Sequence, residues 1–551
     1  MRHAGFARNF ESALRLLAER GHRVHVAFEA PFAHGGGGSR PGIVERLAAE
    51  WPSVSFGPAP DRSGEPWFAL GLRLRLGVDY LRFLAPTYAG APKLRARAEA
   101  RVGPLMRTLG RGAARRPGGP ERLVRVLRAL DASLPLSPGA RDLLRAQRPD
   151  ALLVTPLVEL GEPQTDFVRA AKALGVPTAL CVASWDNLTN KGSIPEVPEL
   201  VTVWNEAQRR EAVVLHGVPA DRVVATGAQP YDHWFEWRPS TDRASFAARV
   251  GLPGRGPLVL YLCSSEFIAP EEAAFVRRWL TGLRARPEPE LRAAEVLVRP
   301  HPQNATQWHD VDLEDLGPAA VWPRAGADPV DADSRRGYFD SIHFSSAVVG
   351  VNTSALIESA IVGRPVLTQL AAEFRETQGG TLHFAHLAEG GPLRVAESFE
   401  EHATDLVRAL AGEDDRTGTD AFLRSFVRPH GLKEPATPRL VGAIEALAAT
   451  VPEAPRAPAA APLLRATLAP AAMLAWSGAA ARRGARRTLR VGLRTPVGQA
   501  LARRWLVPLG ARGARARGGV LASLAHEAET ALGGSRATVS PRVAADGLAR
   551  P

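Results

Sequence analysis

The residues best suited to chemistry lie in one run, Asn352-Thr353-Ser354-Ala355-Leu356-Ile357-Glu358, which follows the apolar Val349-Gly350-Val351 and leads into Gly363-Arg364-Pro365. A buried strand entering a helix through hydroxyl residues offers backbone N–H groups, two side-chain donors and the positive helix end, which suit a diphosphate; Glu358, one turn inside, can accept from ribose hydroxyls. The same residues also read as ordinary helix furniture, with Thr353 or Ser354 as the cap and Glu358 as a first-turn acid. Two further segments bear on the choice. Arg299-Pro300-His301-Pro302 follows the apolar run 295–299, and Ser264-Ser265-Glu266 follows the run 258–263. Three strand ends would then bring hydroxyls, a guanidinium and an imidazole to one edge of a sheet, as in an anion pocket. His301 reads as a ligand or catalytic group there, or as a structural histidine between prolines.

A second group follows the run 178–183: Ser184-Trp185-Asp186-Asn187-Leu188-Thr189-Asn190-Lys191. An aromatic face with acceptors and donors around it grips a polyhydroxyl ligand, so Trp185, Asp186, Asn187 and Lys191 are candidate cleft residues, a capped surface loop being the plainer reading. Asp310-Val311-Asp312 and Asp331-Ala332-Asp333 lie in polar loops away from any buried strand end, so no metal site is expected. No Gly-rich dinucleotide fingerprint and no Gly-Lys-Ser/Thr loop is present, which argues against NAD enzymes and P-loop NTPases. Cys181 and Cys263 sit in apolar runs as small buried hydrophobes, a usage that fits a reducing cytoplasm.

The elements that must position these residues are strands alternating with helices. Apolar runs at 151–155, 178–183, 200–204 and 222–226, with helices at 165–174 and 206–216 between them, form one set. A second set comprises strands at 258–263, 295–299, 321–322, 347–351 and 365–368, with helices at 270–283, 336–344 and 354–362. The strands are continuous apolar runs, as a parallel sheet covered on both faces requires. The expected fold is therefore α/β: two doubly wound Rossmann-like modules, 1–236 and 237–450, facing across a cleft. The first opens on a helix after Asn9, with a strand at 24–28, and its own first strand is missing, which suggests a start upstream or a truncation. Between residues 67 and 109 a leucine- and arginine-rich stretch reads as surface helices, or as a contact with a membrane or polyanion.

Charge divides the 551 residues sharply. The formal net charge is +12, and residues 451–551, with 16 arginines, no lysine and four acids, carry all of it. The first 450 residues balance at zero, so the basic pI does not license nucleic-acid binding by the folded part. The tail is Ala/Pro/Arg-rich and is expected to be largely disordered, with a short helix near 499–506, a candidate anchor to anionic membrane or a passive extension. No signal peptide and no spanning helix are expected, and the protein reads as cytoplasmic, at most peripheral to the inner face of the membrane.

The strand-Thr-Ser-x₃-Glu-x₄-Gly-x-Pro pattern within a two-module layout resembles the GT-B superfamily, which includes nucleotide-sugar glycosyltransferases, CDP-glycerol glycerophosphotransferases and UDP-N-acetylglucosamine 2-epimerases. The resemblance implies a nucleotide-activated donor on the second module: Asn352, Thr353, Ser354 and Glu358 on diphosphate and ribose, Ser264, Ser265 and Arg299 near the phosphates, His301 beside them. It implies no cofactor beyond the donor, and a hydroxyl acceptor on the first module. Arg2-His3-Ala4-Gly5 resembles the opening of such transferases, which makes His3 the candidate acceptor base. Thr226-Gly227-Ala228-Gln229-Pro230 resembles their hinge. The glycines and second acid of the epimerase motif are absent here, which leaves an epimerase-like isomerase, or an inactive nucleotide-sugar-binding protein, as the alternatives to a transferase.

Overall fold

The computed structural model describes residues 1–29, 42–413, 415–452 and 459–492. Twelve strands are present among them: β1 Val24–Phe28, β2 Val54–Pro58, β3 Leu152–Val154, β4 Thr178–Cys181, β5 Leu200–Val203, β6 Val223–Ala225, β7 Leu258–Leu262, β8 Glu295–Arg299, β9 Ala319–Val321, β10 Ala347–Gly350, β11 Val366–Gln369 and β12 Leu393–Ala396. Every pairing between them is parallel.

The second module is one six-stranded sheet in the order β12-β11-β10-β7-β8-β9. Its strands obey the period of two: Leu258, Leu260 and Leu262 enter one core cluster with Leu297 and Val348, while Val259 and Tyr261 enter another with Val296, Val298, Ala347 and Val349. Two apolar faces require helices on both sides, which is why these strands carry no polar alternation. The order reverses between β7 and β10, and the carboxyl ends of such neighbours leave a crevice.

The first module holds β3-β4-β5-β6 as one sheet and β1-β2 as another. Met1 and Arg2 bridge them: the Met1 ammonium donates to the Ala27 carbonyl at 2.7 Å, Glu29 N–H donates to Met1 O at 3.1 Å, and Arg2 N–H donates to Thr155 O at 3.2 Å. Under these sheets lies a buried ionic network. Arg75 donates to Asp131 at 3.1 Å, to Asp166 at 2.6 Å and to the Glu162 carbonyl at 2.9 Å; Arg62 joins Asp166 to Glu29, and Arg169 reaches Asp131 at 2.7 Å.

Residues 66–132 form a run of helices joined by short turns. The alternating leucines from Leu70 to Leu76 lie on the helix Pro66–Arg82, which buries Leu70, Leu74, Val78 and Leu81 and packs against the helix Gly119–Ala132. The helices Pro92–Arg101 and Pro104–Ala114 lie between these two in sequence.

Two expectations need amendment. The boundary at 237 assigns everything to 450 to the second module, but the helix Ala436–Ala448 returns to the first, packing Leu440, Val441, Ile444 and Leu447 against Phe10, Leu14 and Leu17. Within the tail, Ala461–Gly492 forms a helix, and Arg465 donates to the Ser133 carbonyl at 2.7 Å; the short helix expected near 499–506 lies outside the described residues. Among the described residues no helix is long and apolar enough to cross a membrane.

Candidate functional site

The carboxyl ends of β7, β8 and β10 open into a cavity of about 560 Å³, whose wall includes Arg8, Asn9 and Glu11 from the first module and Arg299, His301, Tyr338, Thr353, Ser354 and Glu358 from the second. That volume lies in the range of small-molecule sites. Thr353 and Ser354 reach it by the run from β10 into the helix Ala355–Ile361. Ser354 makes no capping bond with its side chain, and Thr353 accepts from Ala355 N–H only at a long 3.4 Å, so helix capping does not consume these hydroxyls.

Arg299 dominates the electrostatics. It is 5 % exposed, its guanidinium lies between Trp322 and Tyr338 at 5.1 and 4.9 Å from the ring centroids, and it donates to the Ser341 hydroxyl at 3.0 Å. No carboxylate pairs with it among the described residues, and burial, only partly offset by Tyr338 and aided by Arg249, lowers its pKa to about 10. A buried cation without a counterion is costly, and an anion in the cavity would remove that cost.

His301, two residues on, caps the following 3₁₀ turn: its Nδ1 accepts from Gln303 N–H at 3.1 Å. That bond assigns the neutral ring's proton to Nε2. Burial, with help from Arg8, holds the pKa near 4, so the ring is a neutral N–H donor at pH 7. Glu358 accepts a short hydrogen bond from Tyr338 Oη, and its depth in the cleft raises its pKa to about 7. An aromatic wall completes the cavity: Tyr231, Trp234 and Trp237, with Trp234 edge-on to Tyr338 at 5.5 Å.

Other expected residues fall elsewhere. Ser264 is fully buried; its N–H donates to Glu272 at 2.7 Å and its hydroxyl accepts from Asn352 N–H at 3.4 Å. Asn352 turns away, donating to the Thr377 carbonyl at 2.6 Å and to the Thr381 hydroxyl. Both therefore brace the Thr353 turn from behind. Ser265 lies outside the cavity wall, its carbonyl accepting from Ile268 and Ala269. Of the loop after β4, Ala183 and Ser184 line the cavity. Trp185 is buried edge-on against His383 at 4.5 Å, Asn187 accepts from Ala183 and Ser184 N–H at 3.2 Å, and Lys191 sits 3.9 Å from Glu159. Burial alone would raise the Asp186 pKa, but Lys191 and His383 together bring it below its ordinary value. This loop is a seam between modules, where Asn190 donates to His383 Nδ1 at 2.7 Å. His3 also stands outside the cavity wall, against Phe6 at 4.6 Å, its pKa lowered by burial.

Sequence reading missed Arg8, Glu11, Tyr338, Trp234 and Trp237. Arg8 reaches Asp328 at 3.1 Å and Glu11 pairs with Arg335, so two ion pairs span the cavity between modules. Asp331, set aside as a metal ligand, caps the helix Ala332–His343 by accepting from Ser334 N–H at 2.8 Å.

A scan against protein-family models and a search of the curated proteins found no match. Among solved structures, the chain is similar to a glycosyltransferase from Rickettsia africae ESF-5, 9 % identical, with 81 % of this chain and 95 % of that one covered at a TM-score of 0.44. It is also similar to WaaG, a glycosyltransferase involved in lipopolysaccharide biosynthesis, 12 % identical, with 82 % and 98 % covered at 0.39. A third is the UDP-GlcNAc 2-epimerase of Methanocaldococcus jannaschii in complex with UDP-GlcNAc and UDP, 12 % identical, with 60 % and 82 % covered at 0.38. At such identities the chemistry has to come from the residues themselves.

Proposed function

We propose that the chain is a GT-B-type transferase that moves a glycosyl or glycerophosphoryl-like group from a nucleotide-activated donor to a hydroxyl acceptor, in the synthesis of a surface polysaccharide or glycoconjugate. One observation carries the reading: the buried Arg299 guanidinium, without an acidic partner among the described residues, at the wall of a cavity that also presents the Thr353 and Ser354 hydroxyls. In this reading the donor's diphosphate lies against Arg299, the two hydroxyls and His301 Nε2–H. These groups stabilise the charge that grows on the leaving nucleotide, a nucleoside diphosphate when a glycosyl group moves and a nucleoside monophosphate when a glycerophosphoryl group does, and their fixed positions cost no reorganisation at that moment. Glu358 exchanges its bond with Tyr338 for the ribose hydroxyls. The donor's aromatic base stacks on the wall of Tyr231, Trp234 and Trp237. The acceptor enters from the first module, past Arg8 and Glu11. The arginine-rich tail holds the enzyme at an anionic membrane surface, an association that salt should weaken.

A thermal-shift panel of UDP, GDP, CDP and TDP conjugates tests the donor site. One base should raise the melting temperature of the wild type, and Arg299→Met should abolish the shift. Absence of any shift in the wild type would sink the donor site. A shift that survives Glu358→Ala unchanged would sink the ribose assignment alone.

A further inference from the structure

The donor cleft leaves one charged surface unexplained. Residues 92–130 hold eleven basic side chains and two acids, a net charge of +9 inside a 450-residue stretch that sums to zero. They form the helices Pro92–Arg101 and Pro104–Ala114 and most of Gly119–Ala132. The last of these borders a second cavity, of about 550 Å³, walled by Val78 and Leu81 from the helix Pro66–Arg82, by Ala85 just beyond its end, by Val124, and by Leu215 at the end of the helix Glu206–His216. Its inner face is thus largely aliphatic.

The rim is cationic. Arg122, Arg125 and Arg128 recur every three residues along one side of the helix Gly119–Ala132, all exposed, with Glu121 the one acid among the lining residues. Arg122 spends a donor on the Pro117 carbonyl at 2.8 Å, whereas Arg125 and Arg128 make no hydrogen bond or ion pair among the described residues. Arg82, deeper in the wall, donates to the carbonyls of Leu188, Lys191 and Gly192 and leaves its buried Nε without a partner. An aliphatic floor under unpaired guanidiniums complements one kind of molecule: a hydrocarbon chain ending in a phosphate, the chain removed from water on the floor and the phosphate held bidentately at the rim.

We propose that this groove binds a phosphate-bearing amphiphile, its alkyl portion against Val78, Leu81, Ala85, Val124 and Leu215 and its phosphate on Arg125 and Arg128. The site is separate from the donor cavity and does not depend on the function proposed for it, so the two can fail independently.

The test uses the full chain with dodecyl phosphate below its micelle concentration as the probe, measured by titration calorimetry at fixed salt. The double variant Arg125→Glu/Arg128→Glu should weaken binding at least tenfold. Ala85→Trp, which fills the floor and leaves every charge in place, should weaken it similarly. Both substitutions are at positions that are not fully buried, and an unchanged melting temperature and nucleotide shift would show that the fold and the donor site are intact. Dodecyl maltoside, with the same chain and no charge, should bind at least tenfold more weakly than dodecyl phosphate, and inorganic phosphate should displace the probe only at far higher concentration. Undiminished binding in both variants would assign the probe to the arginine-rich tail and overturn the proposal. Equal binding of the maltoside would reduce the groove to an apolar surface, and equal competition by inorganic phosphate would make it a site for the free ion; either result overturns it.

Discussion

Two arginines, both almost fully buried, divide the molecule between architecture and chemistry. Arg75, 2 % exposed, meets Asp131 and Asp166; burial alone would lower its pKa, but the two carboxylates raise it above the ordinary value. Arg299, 5 % exposed, meets two aromatic rings and a hydroxyl, and its pKa falls to about 10. Burial is nearly the same for both, and what separates them is whether the protein itself supplies the counter-charge. A paired buried cation is a structural element that costs most when half of it is removed. An unpaired one is a standing electrostatic cost, tolerable where a ligand offsets it.

Four experiments would break or sharpen that contrast. Arg75→Ala leaves Asp131 to Arg169 and Asp166 to Arg62, each with one buried guanidinium fewer, and should cost about 3–5 kcal/mol in urea denaturation; a loss below about 1 kcal/mol would mean that the network is not what holds the first module together. Glu358 comes next. Its carboxyl is near 4.5 unfolded and about 7 folded, so the folded state holds the proton more tightly. The stability this contributes is complete below pH 4.5 and is lost as pH rises through 7, by up to roughly 3 kcal/mol between pH 5 and 8. Glu162 and Glu272, each raised to about 8 by burial, slope the same way. The informative quantity is therefore the difference between wild type and Glu358→Gln, which should grow across that window. Arg299→Met should leave stability within about 1 kcal/mol of wild type, or raise it, while weakening nucleotide binding by about 2 kcal/mol, roughly thirtyfold. A large stability loss with binding intact would erase the distinction from Arg75. The smallest effect belongs to Arg8→Ala at the exposed pair with Asp328, worth less than about 1 kcal/mol to stability and visible mainly as faster ligand exchange in stopped-flow traces.

Much of the second module could be read from sequence because its strands are short apolar runs between helical patterns. β7, LVLYL, and β8, EVLVR, are buried at every position. β2 escaped because Val-Ser-Phe-Gly-Pro ends in a turn signature, and β12 because Leu-Arg-Val-Ala is short, broken by Arg394, and follows Gly390-Gly391-Pro392. The site was half legible. Residues that directly follow a buried strand, Arg299, His301, Thr353 and Ser354, could be placed at a sheet edge before any coordinates. Sequence could not sort which of the polar residues there face outward. Ser264 and Asn352 look equally reactive, yet their bonds to each other, to Glu272 and to Thr377 turn them inward. Trp185 was expected in the cleft and is covered by His383, a residue nearly two hundred positions away, while Asn187 is spent on the Ala183 and Ser184 N–H groups. Tyr338 and Trp234 carried no signal, since nothing in the local sequence marks a ring that shares its face between core and cavity.

The passage between modules carries a mechanical consequence. Asp232, in the first connection, accepts from Ala436 N–H at 2.9 Å, Thr437 N–H at 2.7 Å and Arg428 at 3.1 Å in the second, and Ala228 N–H donates to Val427 O at 2.9 Å. Gly227, at φ +95°, lies where an added Cβ would come within 2.7 Å of Ala436 Cβ, so the two connections touch. Two spans riveted side by side behave as one strip hinge: they bend about a single axis and resist twisting. A protease that cut the first span at Arg238 would leave the halves tethered through the second, migrating as two bands in denaturing gels and as one particle in native ones.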